Sequence, residues 1–270
     1  MIFSFYLCNQ NYALGDVCSS GRSANLDNEQ AYPRAYFFLM KKETTNPLPP
    51  TKIAVLIDGG FFLKRFNALY NKDRSLSAKD IADCMHTLAL HMVGNNTLYR
   101  IFYYDCMPLG KKFHNPITHK SVDFSKSDEY IFRCKLFEAL RRKRKVALRL
   151  GTLKDNGNWM LYPEVTKELL SGKKTIADLQ EKDVYMEIRQ KGIDMKIGVD
   201  IASLALKKHV DTIILVAGDA DFVPAAKLAR REGIDFILHP MAAHIDPDLF
   251  EHIDGLYSNR PVLHSKKETK

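Results

Sequence analysis

Two uninterrupted apolar runs, each closed by aspartate, constrain this chain more than any other feature. Ile53-Ala54-Val55-Leu56-Ile57 ends at Asp58, and Ile213-Ile214-Leu215-Val216-Ala217 leads into Gly218, Asp219, Ala220 and Asp221. A run with no polar alternation has no solvent face, so each reads as a strand buried on both sides, as in a parallel sheet covered by helices. Carboxylates at the carboxyl ends of such strands collect at the edge where open α/β sheets bind ligands. Three or four there could hold Mg²⁺ or Mn²⁺, which prefer oxygen ligands and often bridge carboxylates to phosphates.

The text between the runs alternates in the same sense. Helical spacing covers 61–70 and 78–93, the latter with Ile81, Met85, Leu88 and Met92 on one stripe. Thr97–Tyr104 is β-branched and aromatic and ends at Asp105, so it reads as a strand. Residues 106–126 read as a long loop, 127–145 as a helix ending in a basic cluster, and 146–151 as a strand with a further short one at 159–162. The Lys-rich 163–182 reads as loop with some helix. Helices at about 194–209 and 220–232 flank the second apolar run, and Ile234–Leu238 closes the pattern. Strands alternating with helices give an α/β fold with a mainly parallel central sheet and helices on both faces. There is no Gly-x-Gly-x-x-Gly and no Walker phosphate loop.

Composition narrows the partners. With 270 residues, 46% of them hydrophobic, the chain can bury one sizeable core. Its 40 basic and 32 acidic residues leave a formal charge of +8, which favours an anionic partner such as nucleic acid. The five cysteines are scattered without metal spacing, and their odd number suits a reducing cytoplasm. No apolar run approaches the ~20 residues of a membrane span. Residues 1–51 read as an N-terminal extension, poorly ordered by composition, with Met40 as a plausible natural start. Residues 52–257 form the domain, and 258–270 are a basic tail. A homo-oligomer is compatible with all of this.

The acids differ in specificity. Asp58-Gly59-Gly60 also suits an ordinary strand-ending turn. Gly218-Asp219-Ala220-Asp221 is sharper, because capping the next helix accounts for one acid and leaves the second. Asp194 opens a helix as cap or ligand. Asp200 lies six residues on, roughly 120° away around the helix, and borders an apolar stripe, so orienting a neighbour suits it better. Asp105 reads as a turn residue, and His239 and His244 as structural.

As a set, Ile57-Asp58-Gly59-Gly60-Phe61-Phe62, Arg189–Asp200 and Ala217–Pro224 resemble the NYN domain, with the bacterial LabA-like (DUF88) group of the PIN-like nuclease superfamily the most similar branch. Tyr103-Tyr104-Asp105, Val122–Lys126 and Leu148–Gly151 fit that branch too. The resemblance covers about 52–257. It implies a Rossmann-like PIN fold and a metal-dependent ribonuclease whose catalytic and metal-binding acids are Asp58, Asp194, Asp219 and Asp221, with Asp200 supporting them. Gly60 departs from the family, in which a small polar residue followed by Asn is common.

On this reading Mg²⁺ or Mn²⁺ held by Asp58, Asp194 and Asp219 activates water against an RNA phosphodiester, and Asp221 binds a second ion or positions the water. Lys191 and Lys196 are candidates to hold the strand, and Arg141, Arg142 and Arg144 to track its backbone; a solvated surface role is the alternative for each. The competing function is a non-catalytic regulator binding RNA or protein on the same fold. A haloacid-dehalogenase-type phosphatase would need a second Asp at position 60, where Gly stands.

Overall fold

A computed structural model describes residues 50–257, of which Thr51–Tyr257 lie within one compact unit. The extension up to residue 49, Met40 included, and the basic tail lie outside the described residues. In chain order the elements are β1 (Lys52–Asp58), α1 (Gly59–Tyr70), α2 (Ala78–Val93), β2 (Thr97–Cys106), β3 (Lys112–His114), β4 (Ser121–Asp123), α3 (Asp128–Arg141) and β5 (Val146–Leu161). They continue with α4 (Pro163–Leu170), β6 (Val184–Lys191), α5 (Ile193–Leu206), β7 (Thr212–Val216), α6 (Val223–Arg231), β8 (Asp235–Leu238), α7 (Pro247–Glu251) and β9 (Gly255–Leu256).

Seven strands form one sheet in the order β6-β5-β2-β1-β7-β8-β9. All neighbours run parallel except β5 and β6. The two apolar runs are the adjacent central strands β1 and β7, paired from Ile53↔Thr212 to Ile57↔Val216. Both faces are covered, as continuous apolar strands require. Ala54, Leu56, Phe102, Tyr104, Ile213 and Leu215 pack against Ile193, Ile197, Ile201 and Leu204 of α5 and against α6. On the opposite face α1 and α2 lie against β2, and α3 against β5. This is a doubly wound α/β arrangement, with a mainly parallel sheet covered by helices on both faces.

From β1 the chain moves outward to β2, β5 and β6, then returns to β7 on the other side of β1. The carboxyl ends of β1 and β7 therefore form the topological switch point, where connections diverge to opposite faces and leave a crevice.

The sequence reading differs from the structure in one substantial region. β5 does not end at Gly151, the partner of Cys106. It runs on past the end of β2, and Thr152–Leu161 pairs antiparallel with β6, from Thr152↔Lys191 to Leu161↔Val184. The result is a two-stranded arm about 30 Å long, from ~3.4 Å per residue. The short strand expected at 159–162 is the far part of β5. Its partner β6 was absent from the expectation, although Val184-Tyr185-Met186-Glu187-Ile188 alternates with a period of two. Residues 163–182 hold α4 and a 3₁₀ turn at Ile176–Asp178. The loop 106–126 carries the small β3–β4 hairpin.

Candidate functional site

Asp58 is placed by the end of β1 and by the start of α1 at once. Its Oδ1 accepts the Phe61 N–H at 3.0 Å and caps the helix. The turn is tight because Gly59 lies under the Tyr103 ring, where a Cβ would stand 2.6 Å from Cζ. Across the crevice Asp219 does the same for the 3₁₀ turn Ala220–Phe222, its Oδ1 accepting the Asp221 N–H at 3.1 Å. Gly218 is required there for a similar reason: a Cβ would lie 2.6 Å from the Phe61 ring. Phe61 is thus a wedge between the two strand ends, and Phe62 is core. Each cap uses one oxygen, and a carboxylate keeps lone pairs on the other.

Asp194 enters from the opposite face, in the first turn of α5, after a left-handed Gly192 (φ 83°) reverses the chain out of β6. These acids act on one another. Burial raises the Asp58 carboxyl above its ordinary range, and the charges of Asp194 and Asp105 push it further, against the Phe61 and Gly60 N–H groups that lower it. Asp194 is raised by its own desolvation and then by Asp219 and Asp221. Asp219 and Asp221 are both exposed. At the carboxyl ends of β1 and β7, Asp58 therefore lies in the field of Asp194, and Asp194 in that of Asp219 and Asp221.

Asp105 belongs with them and was read from the sequence as a turn residue. It shares a buried face of β2 with Tyr103, near Asp58 on β1, and is 2% exposed. Arg133 of α3 donates Nη1–H to its Oδ2 at 2.5 Å and Nε–H to Glu129 at 2.6 Å. The Tyr103 hydroxyl reaches it at 3.4 Å. Burial still outweighs Arg133 and holds the Asp105 carboxyl above its usual range. The signal was available: Asp105 follows a buried strand just as Asp58 does, but its partner Arg133 stands 28 residues away.

Asp200 does not join the cluster. Its Oδ2 accepts the Tyr104 hydroxyl at 2.8 Å and the Arg149 Nε–H at 2.9 Å, and the Arg149 guanidinium sits 5.1 Å above the Phe102 ring. These contacts tie α5 to β2 and β5. Lys191 and Lys196 are exposed on either side of Gly192, beside Asp194. Arg141, Arg142 and Arg144 lie at the start of β5, the opposite edge of the sheet from the acids; Arg142 pairs with Glu138. His239 is buried, its Nδ1 accepting the Met241 N–H at 3.2 Å, and burial lowers its pKa to about 4. That is a structural histidine, and His244 is exposed.

An all-oxygen, mutually repelling donor set suits a hard divalent cation, whose charge would relieve the repulsion. As the side chains stand, however, no three His, Cys, Asp or Glu groups among the described residues are close enough together to hold one. The chemistry fits and the spacing is open. Among the described residues no helix is long and apolar enough to cross a membrane.

No curated protein matches the chain. A crystal structure of a protein of unknown function from Vibrio parahaemolyticus is similar at 15% identity with a TM-score of 0.39, covering 78% of this chain and 94% of that one. The NYN domain matches residues 134–249, which include Asp194, Asp200, Asp219 and Asp221 and leave Asp58 and Asp105 outside. The matched segment bears three of the four acids at the carboxyl ends of β1 and β7, and there the chain is similar to the NYN domain.

Proposed function

We infer that this protein is a metal-dependent ribonuclease of the LabA-like type, with Asp58, Asp194, Asp219 and Asp221 as its catalytic and metal-holding acids. The observation that carries the reading is the crowding of these carboxylates at the β1/β7 switch point, where burial and like charge raise Asp58 and Asp194. Groups held in such company cost stability, and perturbed carboxylates in a cleft mark functional sites.

Mg²⁺ or Mn²⁺ bound there supplies neutralisation of charge on the phosphate and a water of lowered pKa. The chain's own part is positional. The helix cap fixes Asp58 in one orientation, and the cap on Asp219 does the same across the crevice. Asp221 orients the attacking water. Asp200, held by Tyr104 and Arg149, keeps α5 seated and Asp194 in place. Lys191 and Lys196 receive the strand's phosphates as point charges. Arg141, Arg142 and Arg144, at the far edge, take no part in the chemistry.

The test is incubation of the full chain with end-labelled single-stranded RNA and Mn²⁺ or Mg²⁺. Cleavage is expected, lost with EDTA and reduced roughly 100-fold or more in Asp219→Asn, since several kcal/mol of transition-state stabilisation go with the metal. RNA bound but left intact, equally by wild type and variant, would replace this reading with the non-catalytic regulator. Cleavage that survives Asp219→Asn would put the site elsewhere.

A further inference from the structure

Beside Asp105, on the side away from Asp58, lies a cavity of about 310 Å³. That is the lower end of the ~300–1,000 Å³ typical of small-ligand sites. It is roofed by the base of the β5–β6 arm through Leu153 and Ile188, and walled by Pro108, Leu109, Phe124 and Tyr130. Its polar floor is the Asp105–Arg133 pair. A larger cavity, about 390 Å³, lies at the other end of the sheet and is lined by the ion pairs Asp83–Lys143 and Glu138–Arg142 with Lys79 and Lys135, and it lacks the aromatic walls of the smaller one.

Three features fix what the smaller cavity suits. Its walls are apolar and aromatic, which favours a flat, weakly hydrated ring. Its floor holds a guanidinium clamped along two edges, Nη1 by Asp105 and Nε by Glu129, which leaves the planar face immobilised with little entropy left to lose. Aromatic rings and guanidinium planes are the surfaces on which proteins stack unpaired bases. Its position completes the argument. Adjacent strands are about 4.8 Å apart, so a cavity just beyond β2 is one to two strand spacings from Asp58 on β1. A strand laid along the carboxyl edge, with one phosphate over the acids, brings a neighbouring base there.

We propose that this cavity binds the nucleobase of a nucleotide adjacent to the scissile phosphate, with the arm as its roof. The assignment rests on the ribonuclease reading for the word scissile, and on the cavity alone for the base.

The test separates the two. EDTA-treated full-length protein is titrated with a short single-stranded RNA and with versions of it carrying one abasic position at each place in turn. One position should weaken binding about fivefold or more, the effect of losing a stacked base. In Ile188→Trp, which fills the mouth from a side chain already 37% exposed, that sensitivity should vanish, and Ile188→Val should keep it. Matching melting curves show that both variants fold. A nucleoside 5′-monophosphate should displace the RNA in wild type, at much higher concentration, and not in Ile188→Trp. Uniform affinity across the abasic set, or the same penalty in Ile188→Trp, overturns the proposal even if Mn²⁺-dependent cleavage is present. A base-sensitive position that Ile188→Trp abolishes supports it even if no cleavage is seen. A mononucleotide that binds as tightly as the RNA overturns the assignment to a strand.

Discussion

The two edges of the same sheet are built on opposite electrostatic rules. At the edge where the parallel strands begin, charges are closed locally. Asp211 accepts the Lys52 N–H at 2.7 Å and returns its own N–H to the Lys52 carbonyl at 2.8 Å. Lys143 pairs with Asp83, Lys145 donates to the Leu98 carbonyl, and Arg142 meets Glu138. At the edge where the strands end, Asp58 feels the charge of Asp194, Asp194 feels those of Asp219 and Asp221, and the Arg133 guanidinium is spent on Asp105. The first edge is what folding alone would select. The second leaves like charges together on a rigid frame, a cost that makes sense when a cation or a reacting phosphate supplies the compensation.

The sharpest way to test that contrast is to remove one arginine from each edge. Arg133→Met leaves Asp105 buried without its partner, and losing one member of a buried pair costs about 3–5 kcal/mol. Arg142→Ala breaks a pair whose side chains are 77% and 61% exposed, and such pairs are worth about 0–1 kcal/mol. Denaturant melts of the two variants should differ accordingly. Equal losses would mean that the carboxyl edge is no more strained than the other.

A second break comes from pH. His239, at the carboxyl end of β8, is held neutral, its pKa lowered by burial from 6.5 to about 4. The unfolded chain takes up the proton first, so the contribution is full above pH 6.5, falls as pH drops towards 4, and is constant below. The shift corresponds to roughly 3 kcal/mol. A His239→Gln variant should flatten that limb of the stability curve. An unchanged limb would place the transition on carboxylates held low, such as Asp183 beside Lys174, because Asp58, Asp105 and Asp194, held high, favour the folded state at acid pH.

Much of this frame could be read from the sequence because it is local. β1, α1, α2 and β7 follow from periodicity within single segments, and Asp58 and Asp219 from their place after apolar runs. What could not be read depends on pairing across long stretches of chain. β6 finds its partner only in the far half of β5, and Asp105 shows its character only when Arg133 folds back onto it. The packing behind the acids was hidden for the same reason. Gly59 looked like a turn residue, yet Tyr103, 1% exposed, occupies the space of its side chain. Gly59→Ala should therefore cost about 1–3 kcal/mol by overpacking. Gly218→Ala should cost less, because the half-buried Phe61 can yield. The reverse order in thermal melts would show that the Phe61 wedge, and not the Tyr103 floor, holds the acids apart.

The smallest expected effect decides between the two readings of Asp194. Its carboxyl is raised by desolvation and by Asp219 and Asp221, so the folded state holds the proton more tightly than the unfolded one. Stability from this group is then present below its unfolded value and lost as pH rises through the raised folded one. In divalent-free buffer at neutral pH, Asp194→Asn should raise the melting temperature, through a stability gain of less than about 1 kcal/mol because solvent screens an exposed side chain. Working against it is the loss of an acid from the first turn of α5, where the helix dipole favours negative charge by about 0.3–1 kcal/mol. A fall in melting temperature would make Asp194 a helix-stabilising residue. A rise, together with a smaller gain on adding Mn²⁺ than wild type shows, would mean that the fold tolerates this charge for the ion that offsets it.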